Sequence, residues 1–158
     1  MADLPASARR VQDRLKALGF DNQVVEMPET TRSAADAAKA CGCTVAQIAK
    51  SILFRAATSD RPVLVITSGA NRVDEKKVEA VLGEPLGKAD ADFVRARTGY
   101  AIGGVAPVGH AEAPVLYIDR DLMDFTTIWA AAGTPRAVFQ LTPDELRRMT
   151  GGAVIEVA

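Results

Sequence analysis

Residues 51–67 read SILFRAATSDRPVLVIT. The two ends of this stretch, residues 51–54 and 63–67, are short apolar runs, and each predicts a buried strand. The polar residues 57–62 between them are typical of a hairpin loop, so we expect the two strands to pair as neighbours. A sheet with this pair near its centre is therefore the starting point for the fold.

Helices and strands mix on both sides of this hairpin. The predicted helices cover residues 7–18, 34–40, 74–82 and 90–97, with a helical turn at 45–49 and a last helix from Thr142-Pro143. Ser33, with Asp36 three residues later, predicts the N-cap of the second helix. Further strands are predicted at 23–27, 115–118, 126–131, 136–141 and 153–157. Because regular βαβ alternation is missing, we predict an α+β fold with a mixed, largely antiparallel sheet and flanking helices.

Length and composition set the broad class of the protein. The chain has 158 residues, 48% hydrophobic and 25% charged, which predicts one globular domain over residues 1–158. Two cysteines exclude a disulfide scaffold. No apolar run reaches the roughly 18 residues of a membrane-spanning helix, and the first residues lack the apolar core of a signal peptide. We therefore expect a cytoplasmic protein without a membrane partner.

Charge and histidine content exclude further classes. Nineteen basic residues stand against 20 acidic ones, for a net charge of −1. Proteins that hold long stretches of nucleic acid usually carry a basic excess, so we expect no DNA binding and only local contacts with any RNA. His110 is the single histidine, which rules out a site with two or three histidine ligands. We predict neither a metal nor an organic cofactor.

Two short features invite a chemical interpretation. Cys41-Gly42-Cys43 spaces its thiols by one residue and has no second pair, so it predicts a helix end with partly buried thiols and no zinc or redox site. Lys50 lies where the apolar strand starts, between Ala49 and Ser51. Its stem could simply cover apolar surface, or its ammonium could bind a phosphate, and the residue pattern leaves both open.

The segment from Tyr100 to His110, YAIGGVAPVGH, is the richest in signals. Adjacent glycines let the backbone approach a ligand, and such a loop can aim several amide N–H groups at one point, as an oxyanion hole does. It matches neither the dinucleotide-binding nor the P-loop pattern, and an ordinary tight connection is an equal alternative. His110 has no serine in a nucleophile elbow to assist, which favours a structural role for it.

Several of these motifs recur in one order in a known family. They are Lys50 at an apolar strand, Asp74 to Lys77 at a helix start, the loop Gly103-Gly104-Val105-Ala106-Pro107, the small residues Ala131-Ala132-Gly133, and the ending LTPDEL at residues 141–146. Together they resemble the YbaK/EbsC family, relatives of the insertion editing domain of bacterial prolyl-tRNA synthetase. The resemblance covers nearly the whole chain.

The resemblance implies a free-standing aminoacyl-tRNA deacylase that hydrolyses mischarged tRNA in trans, chiefly tRNA(Pro). It places Lys50 near the terminal adenosine and its phosphate, and the loop from Gly103 to Pro107 at the ester. We accordingly predict Lys50 and Gly103, Gly104, Val105, Ala106 and Pro107 as the catalytic set. The expected partners are the 3′ CCA end of aminoacyl-tRNA and a prolyl-tRNA synthetase. Ester hydrolysis of this kind needs a positioned water and an oxyanion stabiliser and no covalent nucleophile, which agrees with the missing triad.

Two positions depart from family members that remove cysteine. Those members carry a Ser and an Asp where this chain has Ala131 and Val138. We assign the side-chain pocket to Thr30, Ser33, His110, Ala131 and Val138. An apolar pocket accepts a small series of substrates, so alanine and 2-aminobutyrate are favoured over cysteine. Serine and threonine stay open, because apolar pockets reject an added hydroxyl poorly and because Thr30, Thr31 or Ser33 could reach in.

Two alternatives belong to other functional classes. The chain could be a binding module that holds a nucleotide, a tRNA or a synthetase without turnover, or an esterase of small activated acyl groups. A binding module would show tRNA or synthetase affinity and no hydrolysis. A small-molecule esterase would show turnover that is insensitive to the tRNA body.

Overall fold

The computed structural model describes residues 4–158, which form helices and strands in a mixed order. The helices are α1 (Ala6–Ala17), α2 (Ala34–Cys41), α3 (Glu75–Leu82), α4 (Ala91–Thr98) and α5 (Pro143–Thr150). The strands are β1 (Val24–Glu26), β2 (Ile48–Ala56), β3 (Pro62–Ser68), β4 (Leu86–Lys88), β5 (Val115–Asp119), β6 (Ile128–Ala131), β7 (Ala137–Leu141) and β8 (Ala153–Ile155). Short 3₁₀ turns cover Val45–Gln47 and Arg120–Asp124.

The predicted hairpin is confirmed at the centre of the sheet. Strands β2 and β3 pair antiparallel, with Ser51 opposite Ile66 and Leu53 opposite Leu64. Every residue of β3 is buried, as expected for a strand covered on both faces. Strand β2 is longer than predicted: the helical turn ends at Gln47 and the strand starts at Ile48, so Lys50 lies inside the strand.

The sheet is mixed, as predicted. Its strand order is β1-β7-β6-β2-β3-β5-β8, with β4 paired to β2 off this path. Four pairings are antiparallel and three are parallel. The prediction missed β4, because Leu-Gly-Lys is too short and too poor in β-branched residues to show a strand pattern.

One edge of β2 carries a gap in its pairing. Strand β6 pairs only with Ile48 and Ala49, and β4 pairs only from Phe54 to Ala56. Neither neighbour reaches residues 50–53 on this edge, although β3 continues along the other edge. The fork between β6 and β4 therefore leaves room beside the middle of β2.

Helix ends are specified locally, by the capping residues that the sequence shows. Ser33 Oγ accepts from the Asp36 N–H at 3.0 Å at the start of α2, and Thr142 and Glu145 form a reciprocal capping box at α5. Helix α2 packs Ala37 and Ala38 against one face of the sheet, near Ile48. No helix within residues 4–158 is both long and apolar enough to cross a bilayer.

Candidate active site

A cavity of about 350 Å³ occupies the gap beside β2. Its size lies at the lower end of the range for small-molecule pockets, which suits one nucleoside with a small substituent. Its walls come from α2 and the residues before it, from β2, β6 and β7, from α4, and from the loop after α4. The lining residues are Thr31, Arg32, Ser33, Ala34, Ala37, Ile48, Ala49, Lys50, Ser51, Ile52, Leu53, Ala89, Val94, Ile102, Gly103, Val105, Trp129, Ala130, Ala131 and Val138.

The charged groups of this cavity are both positive. Lys50 projects from the middle of β2 and is exposed, and Arg32 lies just before the N-cap of α2. Neither cation has an ion-pair partner within residues 4–158, and no carboxylate lines the cavity. An uncompensated pair of cations at a concave site attracts an anion such as a phosphate.

The glycine loop forms the wall opposite β2. A turn closes where the Gly104 N–H donates to the Ala101 carbonyl at 3.0 Å, and Gly103 at its third position has a φ of 91°. Only glycine adopts this conformation without strain. A Cβ on Gly103 would also stand 2.7 Å from Cγ of Arg32, so the arginine stem crosses the loop at this point.

Backbone donors of the loop are left unpaired at the cavity. The N–H groups of Gly103 and Val105 donate no hydrogen bond to any group in the part of the chain that the structure describes, and both residues line the cavity. Unpaired amide donors beside a ligand cavity can stabilise the negative charge that develops on a carbonyl oxygen.

Behind the cavity, the loop is fixed to the β6–β7 turn. The Gly104 carbonyl accepts from the Gly133 N–H at 2.9 Å. A Cβ on Gly104 would lie 2.9 Å from three backbone atoms of Thr134, so the two backbones are in direct contact. The loop is therefore held by backbone packing and not by side chains alone.

Ala131 and Val138 lie together in the cavity wall. They are directly opposite one another in the β6–β7 ladder. Because side chains alternate along a strand and Ile48 lies beside Trp129, Lys50 and Ala131 share one face of the sheet, the face covered by α2. Two apolar side chains thus stand beside the cationic end of the cavity.

The predicted hydroxyl residues are only partly at the cavity. Ser33 lines it, but its Oγ accepts the α2 cap hydrogen bond. Thr31 lines it and donates its hydroxyl to the Pro135 carbonyl at 2.9 Å. Thr30 is not among the lining residues, although it is next to Thr31.

The structure separates other members of the predicted set from this cavity. Gly104 and Ala106 are buried behind the wall, and Pro107 and His110 line a different cavity. His110 therefore lies apart from Ala131 and Val138, which line the first cavity.

The cysteines stay outside this chemistry. Cys41 ends α2 and Gly42 caps it in a left-handed conformation with a φ of 67°. Burial, with a smaller contribution from Cys43, raises the pKa of Cys41 to about 11, so its thiol is protonated at neutral pH. Within residues 4–158 no three His, Cys, Asp or Glu side chains come together in a way that could hold a metal ion.

The sequence reasoning missed Arg32, Ser51 and Trp129. Arg32 directly precedes the cap residue Ser33, and its neighbours in the sequence give no sign of its contact with Gly103. Ser51 follows Lys50, and its Oγ is buried with no partner in the described residues. Trp129 is the single tryptophan and lies in β6, and only the pairing of β6 with β2 brings it to the cavity.

Comparison with known proteins gives a consistent set of similarities. Residues 28–149 match the aminoacyl-tRNA editing domain family. The chain is 31% identical to the uncharacterised protein YwhH of Bacillus subtilis over 140 residues, 89% of this chain and 88% of that protein. It is 26% identical to EbsC of Enterococcus faecalis, a candidate Cys-tRNA(Pro)/Cys-tRNA(Cys) deacylase, over 79% of this chain and 76% of that protein.

Solved structures are similar to this chain in both sequence and fold. The crystal structure of a candidate trans-editing enzyme for prolyl-tRNA synthetase is 46% identical, covers 98% of both chains and superposes with a TM-score of 0.93. The hypothetical protein APE2540 is 29% identical, with a TM-score of 0.87, over 94% of this chain and 98% of that one.

Proposed function

The chain belongs to the aminoacyl-tRNA editing domain family, and from this premise we propose that it acts in trans on mischarged tRNA(Pro) that carries a small amino acid. As an editing domain it is a hydrolase of aminoacyl-tRNA, and aminoacyl-tRNA is its partner. The finer parts of the proposal are the tRNA, the amino acid and the residues that do the work.

The observation that carries the proposal is the composition of the cavity. It combines Lys50 and Arg32 without a carboxylate, the unpaired N–H groups of Gly103 and Val105, and the apolar pair of Ala131 and Val138. These features match the three parts of a terminal aminoacyl-adenosine: a phosphate, an ester carbonyl and a small side chain. Lys50 and Arg32 would hold the phosphate, and the loop amides would hold the carbonyl oxygen.

With these groups in place, hydrolysis needs a water molecule as the nucleophile and a hydroxyl of the substrate to relay the proton. The water oxygen adds to the ester carbonyl, and the N–H groups of Gly103 and Val105 stabilise the oxyanion that forms. The bond to the ribose 3′ oxygen breaks, and that oxygen takes up a proton. Among the described residues no carboxylate or histidine lines the cavity, so the vicinal 2′-hydroxyl of the substrate is the group we assign to relay the proton.

Selectivity would come from the apolar pair. Ala131 and Val138 offer no hydrogen bond to a substrate thiol, and an apolar pocket gains only about 1–3 kcal/mol per methylene. Alanine and 2-aminobutyrate are therefore the favoured residues, serine and threonine are secondary candidates, and proline is excluded by the shape of its ring. A prolyl-tRNA synthetase is the expected source of the mischarged substrate.

The test is hydrolysis of tRNA(Pro) charged in turn with Ala, 2-aminobutyrate, Ser, Thr, Cys and Pro. We expect cleavage of Ala- and 2-aminobutyryl-tRNA(Pro) to be fastest and Pro-tRNA(Pro) to be spared. Faster cleavage of Cys-tRNA(Pro) than of both favoured substrates would refute the assignment of the pocket. Tight tRNA binding without any hydrolysis would favour a binding module, and equal turnover of small esters with and without tRNA would favour a general esterase.

Lys50→Ala tests the role of the cation. Lys39→Ala removes the same charge from the exposed surface of α2, away from the cavity, and serves as the matched control. We expect Lys50→Ala to lower kcat/KM at least tenfold and Lys39→Ala to leave it within twofold. Equal activity of the two variants would remove Lys50 from the mechanism.

A further inference from the structure

His110 is a half-buried histidine that the mechanism above does not use. It lies behind the glycine loop, at a second cavity of about 590 Å³. Pro107, Val108 and His110 line this cavity from the loop side, and Arg10 and Arg14 line it from α1. Ile102, Gly103 and Val105 line the first cavity, so the loop lies between the two cavities and His110 is on its far side.

The ring makes one hydrogen bond, and it is to the loop. Nε2 of His110 lies 2.6 Å from the Ala106 carbonyl oxygen. A carbonyl only accepts, so Nε2 carries the hydrogen and donates it. Nδ1 is buried and has no partner within residues 4–158. Among the described residues, the Ala106 carbonyl is thus the one hydrogen-bond partner of the ring.

Neighbouring side chains hold the ring in this orientation. The ring packs edge-on against Tyr100, with centroids 5.6 Å apart and planes at 81°. The Tyr100 hydroxyl donates to the Val108 carbonyl at 2.7 Å, and the Arg10 guanidinium stands 4.2 Å from the Tyr100 ring centroid. Tyr100 and His110 therefore donate hydrogen bonds to two carbonyls of the loop, those of Val108 and Ala106.

Pro107 explains why the hydrogen bond from His110 goes to the Ala106 carbonyl. The peptide bond between Ala106 and Pro107 has no N–H, so its carbonyl is the only polar atom through which it can be held. Ala106 directly follows Val105, whose N–H is one of the unpaired donors at the substrate cavity. The Ala106 carbonyl belongs to the second peptide unit after the one that carries the Val105 N–H. Fixing it therefore restrains the backbone on the C-terminal side of that donor, while the Gly133 N–H holds the Gly104 carbonyl on the other side.

We propose that His110 is a positioning residue, which holds the Ala106 carbonyl from behind so that the loop amides keep their direction into the substrate cavity. The role rests on the proposed function, because the amides act only if an ester carbonyl is bound beside them. His110 touches no substrate. Its effect falls on the rate of the chemical step, since the phosphate contacts at Lys50 and Arg32 stay intact.

The test compares two substitutions of His110 in single-turnover hydrolysis of Ala-tRNA(Pro). His110→Leu fills the space with an apolar side chain and removes the donor, whereas His110→Gln offers an amide N–H in place of Nε2–H. We expect His110→Leu to lower kcat at least tenfold with KM within twofold, and His110→Gln to recover kcat to within threefold. Arg14→Ala, at the same second cavity but away from Ala106, is the control and should match the wild type.

A second measurement does not need activity. Hydrogen exchange of the Gly104 N–H, which is bonded to Ala101 in the loop, should accelerate at least tenfold in His110→Leu and stay near wild type in His110→Gln. Unchanged kcat and exchange in His110→Leu would overturn the positioning role, as would an equal loss in both variants. Absence of hydrolysis by the wild type would instead overturn the proposed function, and the exchange comparison would still decide the role of His110.

Discussion

Replacing Gly104 with alanine should displace the glycine loop by a distance that can be read from the structure. The new Cβ would lie 2.9 Å from N, Cα and C of Thr134, whereas ordinary contact begins at 3.4 Å. The difference, 3.4 minus 2.9, is 0.5 Å, and it must be absorbed by backbone because no flexible side chain is in the way. Gly104 is not among the glycines with a positive φ, so the perturbation is steric and adds no conformational strain.

The expected cost follows from that displacement. Overpacking of a buried site costs about 1–3 kcal/mol of stability. A displacement of 1 Å in a catalytic group can cost about 100-fold in rate, so half of it predicts a loss of about tenfold in kcat/KM, or about 1.4 kcal/mol. The Gly133 N–H bond to the Gly104 carbonyl would lengthen in the same movement.

The assay pairs single-turnover deacylation with thermal unfolding, and Gly83→Ala is the control. Gly83 ends α3 with a φ of 86° and has nothing within 4 Å of its Cβ position, so alanine there costs about 1–2 kcal/mol through strain alone. We expect both variants to lose about 2–4 °C in Tm per kcal/mol, and only Gly104→Ala to lose activity. A destabilised Gly104→Ala with wild-type kcat/KM would refute the claim that the loop places reacting groups.

Three further predictions concern stability, pH and salt. Asp119 is a buried carboxylate that accepts four hydrogen bonds. Asp119→Ala should lower the free energy of unfolding, measured in urea, by about 3 kcal/mol, and a loss below about 1 kcal/mol would contradict its structural role. Burial lowers the pKa of His110 below its ordinary 6.5; the hydrogen bond to Ala106 opposes this shift and Arg10 adds to it. The unfolded chain therefore binds more protons than the folded one, so stability should fall as the pH drops below 6.5, and it should fall less in His110→Gln. With Lys50 and Arg32 as the phosphate contacts, log Kd for tRNA should change with log salt by only about 1.4, and a steep slope would indicate a larger basic face.

Local features of the fold were predictable because their causes are local. The β2–β3 hairpin follows from two apolar runs around a polar loop, and the structure pairs those two runs. The caps at Ser33 and Thr142 are side chains that satisfy the N–H groups of their own helices, so three or four residues of sequence suffice to find them.

The candidate site was predictable only in part. Lys50, Ala131 and Val138 were selected from a resemblance, and all three line one cavity. His110 and Thr30 were also predicted for the pocket, and neither lines it. Arg32 was missed, since nothing in its neighbourhood says that its stem crosses Gly103, more than seventy positions later in the chain.

The sequence by itself determined the hairpin and the helix caps, because hydrophobic periodicity and side-chain capping are properties of a few neighbouring residues. Tertiary structure alone decided that β6 and β4 both stop short of residues 50–53, and this gap in the pairing makes the cavity. Tertiary structure also decided that Gly103 lines the first cavity whereas His110 lines the second. Both outcomes depend on strand pairing between distant segments, whose register follows from the packing of the whole sheet and not from any local pattern.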